Sequence, residues 1–202
     1  GHELESFVLT STTEIYGNNK SPFTENQTPN PPSAYAISKV AAEQLALFYY
    51  RTRQVPAVVA RMTSTYGPHL KKPRLIAAAI EACAEKSNLK LTSGRQKRDF
   101  LYIGDAVDGL LRAATEPKAR GEIINLGSPQ SYMVREAVET VCRVSVQMPQ
   151  IEWGTVADRA NENVNWRTNV GKARKILGWS PKFPLEKGLA EMWKWHVGKA
   201  RA

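Results

Sequence analysis

A tyrosine and a lysine four residues apart, Tyr35 and Lys39, stand in a segment of strong helical character. Residues four apart on a helix lie on one face, so the phenol and the ammonium can reach the same site. A nearby ammonium favours phenolate over phenol, which lets a tyrosine take up or donate a proton near neutral pH. The alternative for this pair is an ordinary solvated helix face, which the Tyr-x-x-x-Lys spacing alone does not exclude.

The segments around this pair alternate between strand and helix. Residues 7–11 form a short apolar run of strand-forming residues, residues 34–52 carry apolar side chains at helical spacing, and residues 55–62 form a second apolar, β-branched run. Ser33 stands where a helix N-cap is expected. Strand, helix and strand make a βαβ unit, which predicts two parallel strands joined by a right-handed crossover.

Small polar residues follow the first strand at its carboxyl end. Thr12, Thr13 and Glu14 end the apolar run before the chain turns. Ligands of open α/β sheets bind at the carboxyl ends of the strands. These hydroxyls and this carboxylate therefore predict a ligand site beside the helix that carries Tyr35.

The remainder of the chain predicts further α/β structure. We expect helices at residues 75–86, 105–115, 134–144, 170–177 and 185–197, strands at 89–92 and 122–126, and loops at 18–32 and 93–98. Gly178 stands where the C-cap of a helix is expected. No internal repeat or low-complexity linker interrupts the chain.

The composition indicates a globular protein. Of the 202 residues, 42% are hydrophobic and 23% are charged. That length fits one domain with at most a small appendage. No apolar run approaches the roughly 20 residues of a membrane helix, and the start lacks the pattern of a signal peptide. We therefore expect a cytoplasmic protein without a membrane partner.

The net charge of +9 is concentrated in three basic clusters, at residues 71–74, 95–98 and 167–175. Lysine and arginine side chains suit phosphate groups. The clusters lack the interleaved aromatics of a single-strand binder, and no helix-turn-helix or zinc-finger pattern occurs, so a nucleotide-sized anion is favoured over nucleic acid. Cys83 and Cys142 lack metal-ligand spacing and are expected to be buried thiols in a reducing compartment, so no metal site is predicted.

Six motifs follow one another along the chain: Thr10-Ser11-Thr12-Thr13-Glu14-Ile15-Tyr16-Gly17, Tyr35-x-x-x-Lys39, Arg61 through Tyr66-Gly67-Pro68, Arg98-Asp99-Phe100-Leu101-Tyr102-Ile103-x-Asp105, Ile124-Asn125-Leu126-Gly127 and Leu177-Gly178-Trp179-x-Pro181. In their order and approximate spacing, they resemble the motifs of extended short-chain dehydrogenase/reductases. Within that family the sequence resembles the nucleotide-sugar epimerases, dehydratases and decarboxylases. The resemblance implies an α/β fold, the C-terminal part of a Rossmann-like parallel sheet (residues 1–68 with the strand at 122–127), together with a small α/β substrate-binding portion (residues 69–202).

The resemblance also implies an NAD-dependent reaction on a nucleoside-diphosphate sugar, with oxidation commonly at C4. Tyr35 would move the proton of a sugar hydroxyl that Thr12 holds by a hydrogen bond, and Lys39 would hold the nicotinamide ribose. Glu14 stands where enzymes that dehydrate or decarboxylate the keto sugar place a carboxylate. Thr13 departs from the Asp common in dehydratases, which favours a decarboxylase-like or epimerase pattern. The alternative for Glu14 is a solvated turn carboxylate.

Three further positions would contact the substrate. Arg98 and Arg167 match arginines that the family directs at the substrate diphosphate, a group that suits guanidinium geometry. The alternative for each arginine is a surface salt bridge. Ser64 stands where many members have an asparagine that contacts the substrate, so sugar recognition is expected to differ in detail.

The sequence departs most from the family at its beginning. Its thirteen glycines give no Gly-x-x-Gly-x-x-Gly turn, the feature that binds the pyrophosphate of the dinucleotide. We therefore expect that roughly a hundred residues of a full member are missing, and that this chain alone binds NAD weakly and turns over little. The first strand would then expose an edge, which favours a homo-oligomer or a complementing chain. A non-catalytic nucleotide-sugar-binding or interaction module is the alternative.

Overall fold

Strands and helices alternate along most of the chain. The computed structural model describes residues 4–158 and 163–199. Its strands are β1 (Phe7–Thr12), β2 (Ala57–Met62), β3 (Ser64–Tyr66), β4 (Leu89–Leu91), β5 (Lys97–Arg98), β6 (Phe100–Tyr102), β7 (Ile123–Leu126), β8 (Tyr132–Met133) and β9 (Ile151–Trp153). Its helices are α1 (Ala34–Arg53), α2 (Leu75–Glu85), α3 (Ile103–Thr115), α4 (Val134–Ser145), α5 (Gly171–Leu177) and α6 (Leu185–Lys199).

A parallel sheet with the order β1-β2-β7 carries the rest of the structure. Val8 pairs with Val58, and Ala60 pairs with Ile124. The central strand β2 is buried on both faces, which explains its continuous apolar sequence. The predicted α/β class is therefore correct, and so is the parallel pairing of the first two strands. The outer edge of β1 pairs with no strand in the described residues.

Helices cover both faces of this sheet. Ala46 and Leu47 of α1 pack on Val59 on one face. Helices α3 and α5 pack on the other, where Trp179 is only 1% exposed. Both α3 and α5 belong to the stretch 69–202 that sequence analysis assigned to the substrate-binding portion, so that division of the chain stays a prediction.

A second core lies among α2, α4 and α6, with Ile80, Val141 and Leu189 at its centre. Short strand pairs surround it: β3 with β6 and β4 with β9 are parallel, and β5 with β8 is antiparallel. Cys83 and Cys142 are buried there as unpaired thiols, as expected. No helix in the described part of the chain is long and apolar enough to span a membrane.

The predicted helices match the observed ones closely, whereas short strands were missed. Helix α2, predicted at 75–86, runs from Leu75 to Glu85, and Gly178 caps α5 in the left-handed conformation at φ 60°. The loop predicted at 93–98 is wrong for its last two residues, because β5 pairs with β8. Strands of two or three residues are too short to show periodicity, so their existence depends on the partner strand.

Helix α4 ends at a β-branched residue in a conformation that suits glycine. Val146 has a φ of 54° and its side chain is 86% exposed. A β-branched residue in the left-handed region is strained, and an exposed side chain gains no burial in return. Replacing Val146 by glycine is expected to raise the free energy of unfolding by about 1 kcal/mol, measured by urea denaturation.

The control for this prediction is Val156→Gly. Val156 is also exposed, at 46%, but has no positive φ. Glycine there only adds conformational freedom to the unfolded chain, so this variant is expected to lose stability. A loss of stability in both variants would show that strain at Val146 is not released.

Candidate active site

A cleft of about 650 Å³ opens at the carboxyl ends of β1 and β2. Residues 11–14 at the end of β1 line one part of it, and Ser33 and Tyr35 at the start of α1 lie beside them. Residues 62–65, at the end of β2 and in β3, line another part. The cleft therefore lies where the polar residues after the first strand predicted a ligand site.

Helix α1 brings Tyr35 and Lys39 together beside the end of β1. Ser33 caps this helix as predicted, since its Oγ accepts a hydrogen bond from the Ala36 amide at 3.1 Å. The Tyr35 side chain is 53% exposed and lines the cleft. Lys39 Nζ donates to the Thr10 carbonyl at 2.9 Å and lies 5.8 Å from the centre of the Tyr35 ring. The strand backbone thus fixes a positive charge next to the tyrosine.

Thr12 and Glu14 form the floor of the site at the tip of β1. The Thr12 hydroxyl oxygen accepts from the Glu14 amide at 3.1 Å, which leaves the hydroxyl proton for a ligand. Ser33 Oγ donates to Glu14 Oε1 at 2.6 Å. Because Ser33 also caps α1, these bonds couple the tip of the strand to the helix that carries Tyr35.

Arg98 and Ser64 line the cleft, whereas Arg167 does not. The Arg98 guanidinium lies 5.1 Å from the centre of the Trp166 ring and donates to the carbonyl of Asn163 at 2.9 Å. Ser64 is exposed at the start of β3. The side chain of Arg167 is exposed outside the cleft lining, and its carbonyl accepts from the backbone of the 18–32 loop. The role of Arg167 in diphosphate binding stays a prediction.

Among the lining residues that were not predicted as site residues, Arg74 and Trp166 have side chains that could bind or position an anionic ligand. Arg74, at the N-terminus of α2, was noted only as part of a basic cluster. Trp166 donates from Nε1 to Thr13 Oγ1 at 3.1 Å and supports the Arg98 guanidinium. The basic cluster was a signal for Arg74, but no local pattern indicates Trp166, because its partners are far away in the sequence.

A buried ion pair lies directly beneath the site. Glu43 is fully buried, and Arg61 is 2% exposed. Arg61 Nη2 donates to Glu43 Oε2 at 2.7 Å and Nε donates to Oε1 at 3.0 Å, so the pair is bidentate. Ser11, at the end of β1, also donates to Glu43. The pair therefore joins α1, β1 and β2 just below the cleft.

The other motif tyrosine near the site, Tyr16, is part of this buried network. It is fully buried, accepts a hydrogen bond from Arg61 at 2.9 Å and donates to Asn125 at 2.7 Å. Burial raises the pKa of Tyr16 to about 12, although Arg61 opposes the shift. Tyr16 therefore stays neutral and structural, whereas Tyr35 is open to a ligand.

The two carboxylates of the Arg98–Asp105 motif hold the fold together. Asp99 is fully buried and accepts from the Thr63 hydroxyl and from the Thr168 amide. Burial raises the pKa of Asp99 to about 7, against the effect of the hydrogen bonds from Thr168. Asp105 accepts from the amides of Lys182 and Phe183, each at 2.9 Å. In residues 4–158 and 163–199 no three His, Cys, Asp or Glu side chains converge as metal ligands.

Comparison with known protein families shows to which family the chain belongs. The NAD dependent epimerase/dehydratase family matches residues 1–127, more than half of the sequence. The chain belongs to this family. The epimerase/dehydratase match thus includes the strand tip, the Tyr35 helix and all three strands of the central sheet.

Individual members of the epimerase/dehydratase family are similar over nearly the whole chain. An uncharacterized UDP-glucose epimerase of Bacillus subtilis, YtcB, is 28% identical over 93% of this chain and 59% of its own length. UDP-glucuronic acid decarboxylase 3 of Arabidopsis thaliana is 32% identical over 92% of this chain and 56% of its own. The structure of dTDP-glucose 4,6-dehydratase from Bacillus anthracis in complex with NAD superposes with a TM-score of 0.87 at 29% identity, covering 96% of this chain and 62% of that one. The chain thus spans about 60% of the length of these relatives.

The residues present fit one end of NAD. Tyr35 lines the cleft, and the Lys39 ammonium lies 5.8 Å from the centre of its ring, so the pair could hold the hydroxyls of the nicotinamide ribose. The pyrophosphate of NAD needs backbone amides at a glycine-rich turn, and the sequence has no Gly-x-x-Gly-x-x-Gly turn. In the part of the chain that the structure describes, only the nicotinamide end has a fitting site.

Proposed function

We propose that this protein acts on a nucleoside-diphosphate sugar, with Tyr35 taking the proton from the C4 hydroxyl of the sugar. The observation that carries this proposal is the cleft itself, which has two chemically different parts. Thr12, Glu14 and Tyr35 offer hydroxyls and a carboxylate to a sugar, and Arg74 and Arg98 offer positive charge to a diphosphate. One ligand that carries both groups would use the whole cleft.

Each residue at the sugar end has a role that follows from its contacts. The Thr12 hydroxyl proton would hold the sugar oxygen, since the Thr12 oxygen already accepts from the Glu14 amide. Tyr35 in its phenolate form, beside the ammonium of Lys39 that the Thr10 carbonyl fixes, would accept the proton and become the neutral phenol. NAD, when bound, supplies the oxidant that takes hydride from the same sugar carbon.

Glu14 and Thr13 help to distinguish which reaction the oxidised (keto) sugar would undergo. Glu14 lines the cleft and is held by Ser33, so its carboxylate has a fixed position from which it could act as a base. Thr13 is nearly buried, and its hydroxyl oxygen accepts from Trp166. Unlike the aspartate common at this position in dehydratases, a threonine has no carboxyl group that could protonate a departing hydroxyl. We therefore favour an epimerase or a decarboxylase-like reaction over dehydration.

At the diphosphate end, Arg98 is the principal contact in this proposal. Its stacking on Trp166 holds the guanidinium plane at the cleft. Arg74 lines the same cleft, and Arg167 would join them only if its exposed side chain turned inward. The guanidinium groups of Arg74 and Arg98 offer positive charge to phosphate oxygens. A neutral sugar would not require these charges.

The exposed side of α1 supports an assembly with a second copy or with a complementing chain. Four large apolar side chains of this helix are between 45% and 56% exposed: Ile37, Leu45, Phe48 and Tyr49. An exposed apolar stripe of this kind marks an interaction surface. A non-catalytic nucleotide-sugar-binding or interaction module is the second candidate, for which this exposed apolar stripe is the supporting observation. We propose a cytoplasmic setting, which the unpaired thiols Cys83 and Cys142 support.

A thermal-shift titration tests the proposal. Uridine, thymidine, guanosine and cytidine diphosphate sugars and NAD are titrated against the protein, since a ligand of the native state raises the melting temperature. We expect at least one diphosphate sugar to raise it by several degrees at about 100 times its Kd, and NAD to have a much smaller effect. Arg98→Ala should abolish most of the shift by the sugar nucleotide.

Lys118→Ala, at an exposed lysine remote from the lining residues, is the matched control and should respond as the unchanged protein does. No shift with any diphosphate sugar would refute the proposal. A shift with sugar nucleotides in a protein that shows no turnover when combined with NAD would support the binding module instead.

A further inference from the structure

The segment of residues 67–74 joins β3 to α2 and lines the cleft with Leu70 and Arg74. Within the segment, two backbone hydrogen bonds each close a turn. The Leu70 amide donates to the Gly67 carbonyl at 3.2 Å, and the Arg74 amide donates to the Lys71 carbonyl at 3.3 Å. Turns of this kind shape a segment locally but do not fix it on the protein. Arg74 also caps α2, where its carbonyl accepts from the Ala78 amide at 2.9 Å, so its position depends on α2 as well as on contacts between the 67–74 segment and its neighbours.

Both ends of the 67–74 segment are held by such contacts. Gly67 lies so close to Ile103 that an added Cβ would be 2.2 Å from the Ile103 Cγ2. Near the other end, Lys72 Nζ lies 2.8 Å from Glu81 Oε2, but both side chains are partly exposed, so this ion pair is weak. In the middle of the segment, Leu70 packs against the core among α2, α4 and α6.

Helix α6 makes two further contacts with this part of the chain. At the beginning of α6, the Leu185 carbonyl accepts a hydrogen bond from the Tyr66 hydroxyl at 3.1 Å, and Gly188 leaves room for that hydroxyl. Trp195, about 15 Å further along the helix axis, contacts the ring of His69 with a centroid distance of 4.5 Å. The same helix thus holds the residue before the segment and the residue at its centre.

His69 adopts a left-handed backbone conformation, which is uncommon for non-glycine residues although histidine occurs there more often than most. Its φ is 66°, in the left-handed region. A residue in that region persists where its surroundings hold it. The contact with Trp195 is such a restraint, and it lies one residue before Leu70.

We propose that the His69–Trp195 contact is a clasp through which α6 holds the 67–74 segment and sets the position of Arg74 at the cleft. Trp195 is then a positioning residue for an anionic ligand, although it does not line the cleft itself. The clasp rests on the proposed function only in taking the ligand of Arg74 to be a diphosphate.

Limited proteolysis tests the clasp without any ligand. Trypsin can cut after Lys71 and after Arg74 when the segment opens, and cleavage after Lys118 in the same digestion reports on unfolding elsewhere. Trp195→Ala is expected to raise the cleavage rate in the segment about three- to tenfold relative to the rate at Lys118, because an aromatic pair shifts the open population by about that factor.

Matched variants separate the clasp from a general loss of stability. Trp195→Phe keeps a ring and should restore the slow rate, and Lys194→Ala, at the neighbouring exposed residue, should leave it unchanged. His69→Gly accepts the positive φ but has no ring, so it should behave as Trp195→Ala does, and the double variant should go no further. The proposal would be overturned if Trp195→Ala raised the cleavage rate after Lys118 as much as in the segment, or did not raise the rate in the segment.

Binding of uridine diphosphate, measured by calorimetry, then separates the clasp from the proposed function. We expect Arg74→Ala to weaken binding about tenfold and Trp195→Ala to weaken it by two- to fivefold. Unchanged binding by Arg74→Ala, with faster proteolysis of Trp195→Ala, would refute the diphosphate role of Arg74 and leave the clasp standing. Weakened binding by Arg74→Ala, with Trp195→Ala unchanged in both binding and proteolysis, would refute the clasp and leave the proposed function standing.

Discussion

Replacing Glu43 by glutamine is expected to lower the free energy of unfolding by about 3–5 kcal/mol. Glutamine keeps the volume of the side chain but removes its charge, which leaves the Arg61 guanidinium buried without a counter-ion. Arg61 is only 2% exposed, so water cannot take the place of the carboxylate. Urea denaturation followed by circular dichroism measures the loss. Because the ion pair joins α1 to β2, the Tyr35 helix should loosen as well.

The matched control for this prediction is Glu186→Gln. Glu186 pairs with Arg143 at 3.4 Å, but both side chains are more than half exposed. Exposed pairs contribute little, so this variant should lose less than about 1 kcal/mol. Equal losses in the two glutamine variants would show that burial does not set the strength of the Glu43–Arg61 pair. If Glu43→Gln fails to fold, the larger loss is confirmed by Glu43→Gln combined with Arg61→Met, which removes the unpaired charge and should recover stability.

Asp99→Asn is expected to change how stability depends on pH. The pKa of Asp99 is raised by burial from 3.8 to about 7 in the folded protein. Between these two values the folded state keeps a proton that the unfolded state has released. The contribution of Asp99 to stability is therefore greatest below pH 4 and falls as the pH rises to 7, by about 4 kcal/mol in total.

Chemical denaturation at pH 4, 6 and 8 measures this contribution as a difference. The free energy of unfolding of the unchanged protein, minus that of Asp99→Asn, should fall across this range, since asparagine does not titrate. Asp108→Asn removes an exposed carboxylate that pairs with Arg112, and its difference should stay nearly flat. A difference for Asp99→Asn that rises with pH would mean that the hydrogen bonds from Thr63 and Thr168 outweigh burial.

Local sequence patterns predicted the elements that carry the reacting groups. Helix α1 follows from apolar residues at helical spacing and from the Ser33 cap, and the two strands beside it follow from short β-branched runs. The position of Tyr35 and Lys39 on one helix face is a property of helix geometry alone. Thr12 and Glu14 were placed at a ligand site because they follow a strand that was correctly predicted as parallel.

Contacts between distant residues decided the rest of the site. Trp166 reaches the cleft through a hydrogen bond to Thr13, 153 residues earlier in the chain. Arg74 lines the cleft, whereas Arg167, predicted with Arg98 to bind the diphosphate, is exposed and is not among the lining residues. No periodic pattern carries this information.

The sequence by itself determined the helices, the parallel pairing of β1 with β2 and the Tyr35–Lys39 pair, because helical and strand periodicity depend on neighbouring residues. Only the tertiary structure separated the two tyrosines, burying Tyr16 against Arg61 and leaving Tyr35 open to the cleft. The physical reason is that the packing of segments far apart in the chain sets the burial and the hydrogen-bond partners of each side chain. Burial and hydrogen bonds in turn set its charge and whether a ligand can contact it.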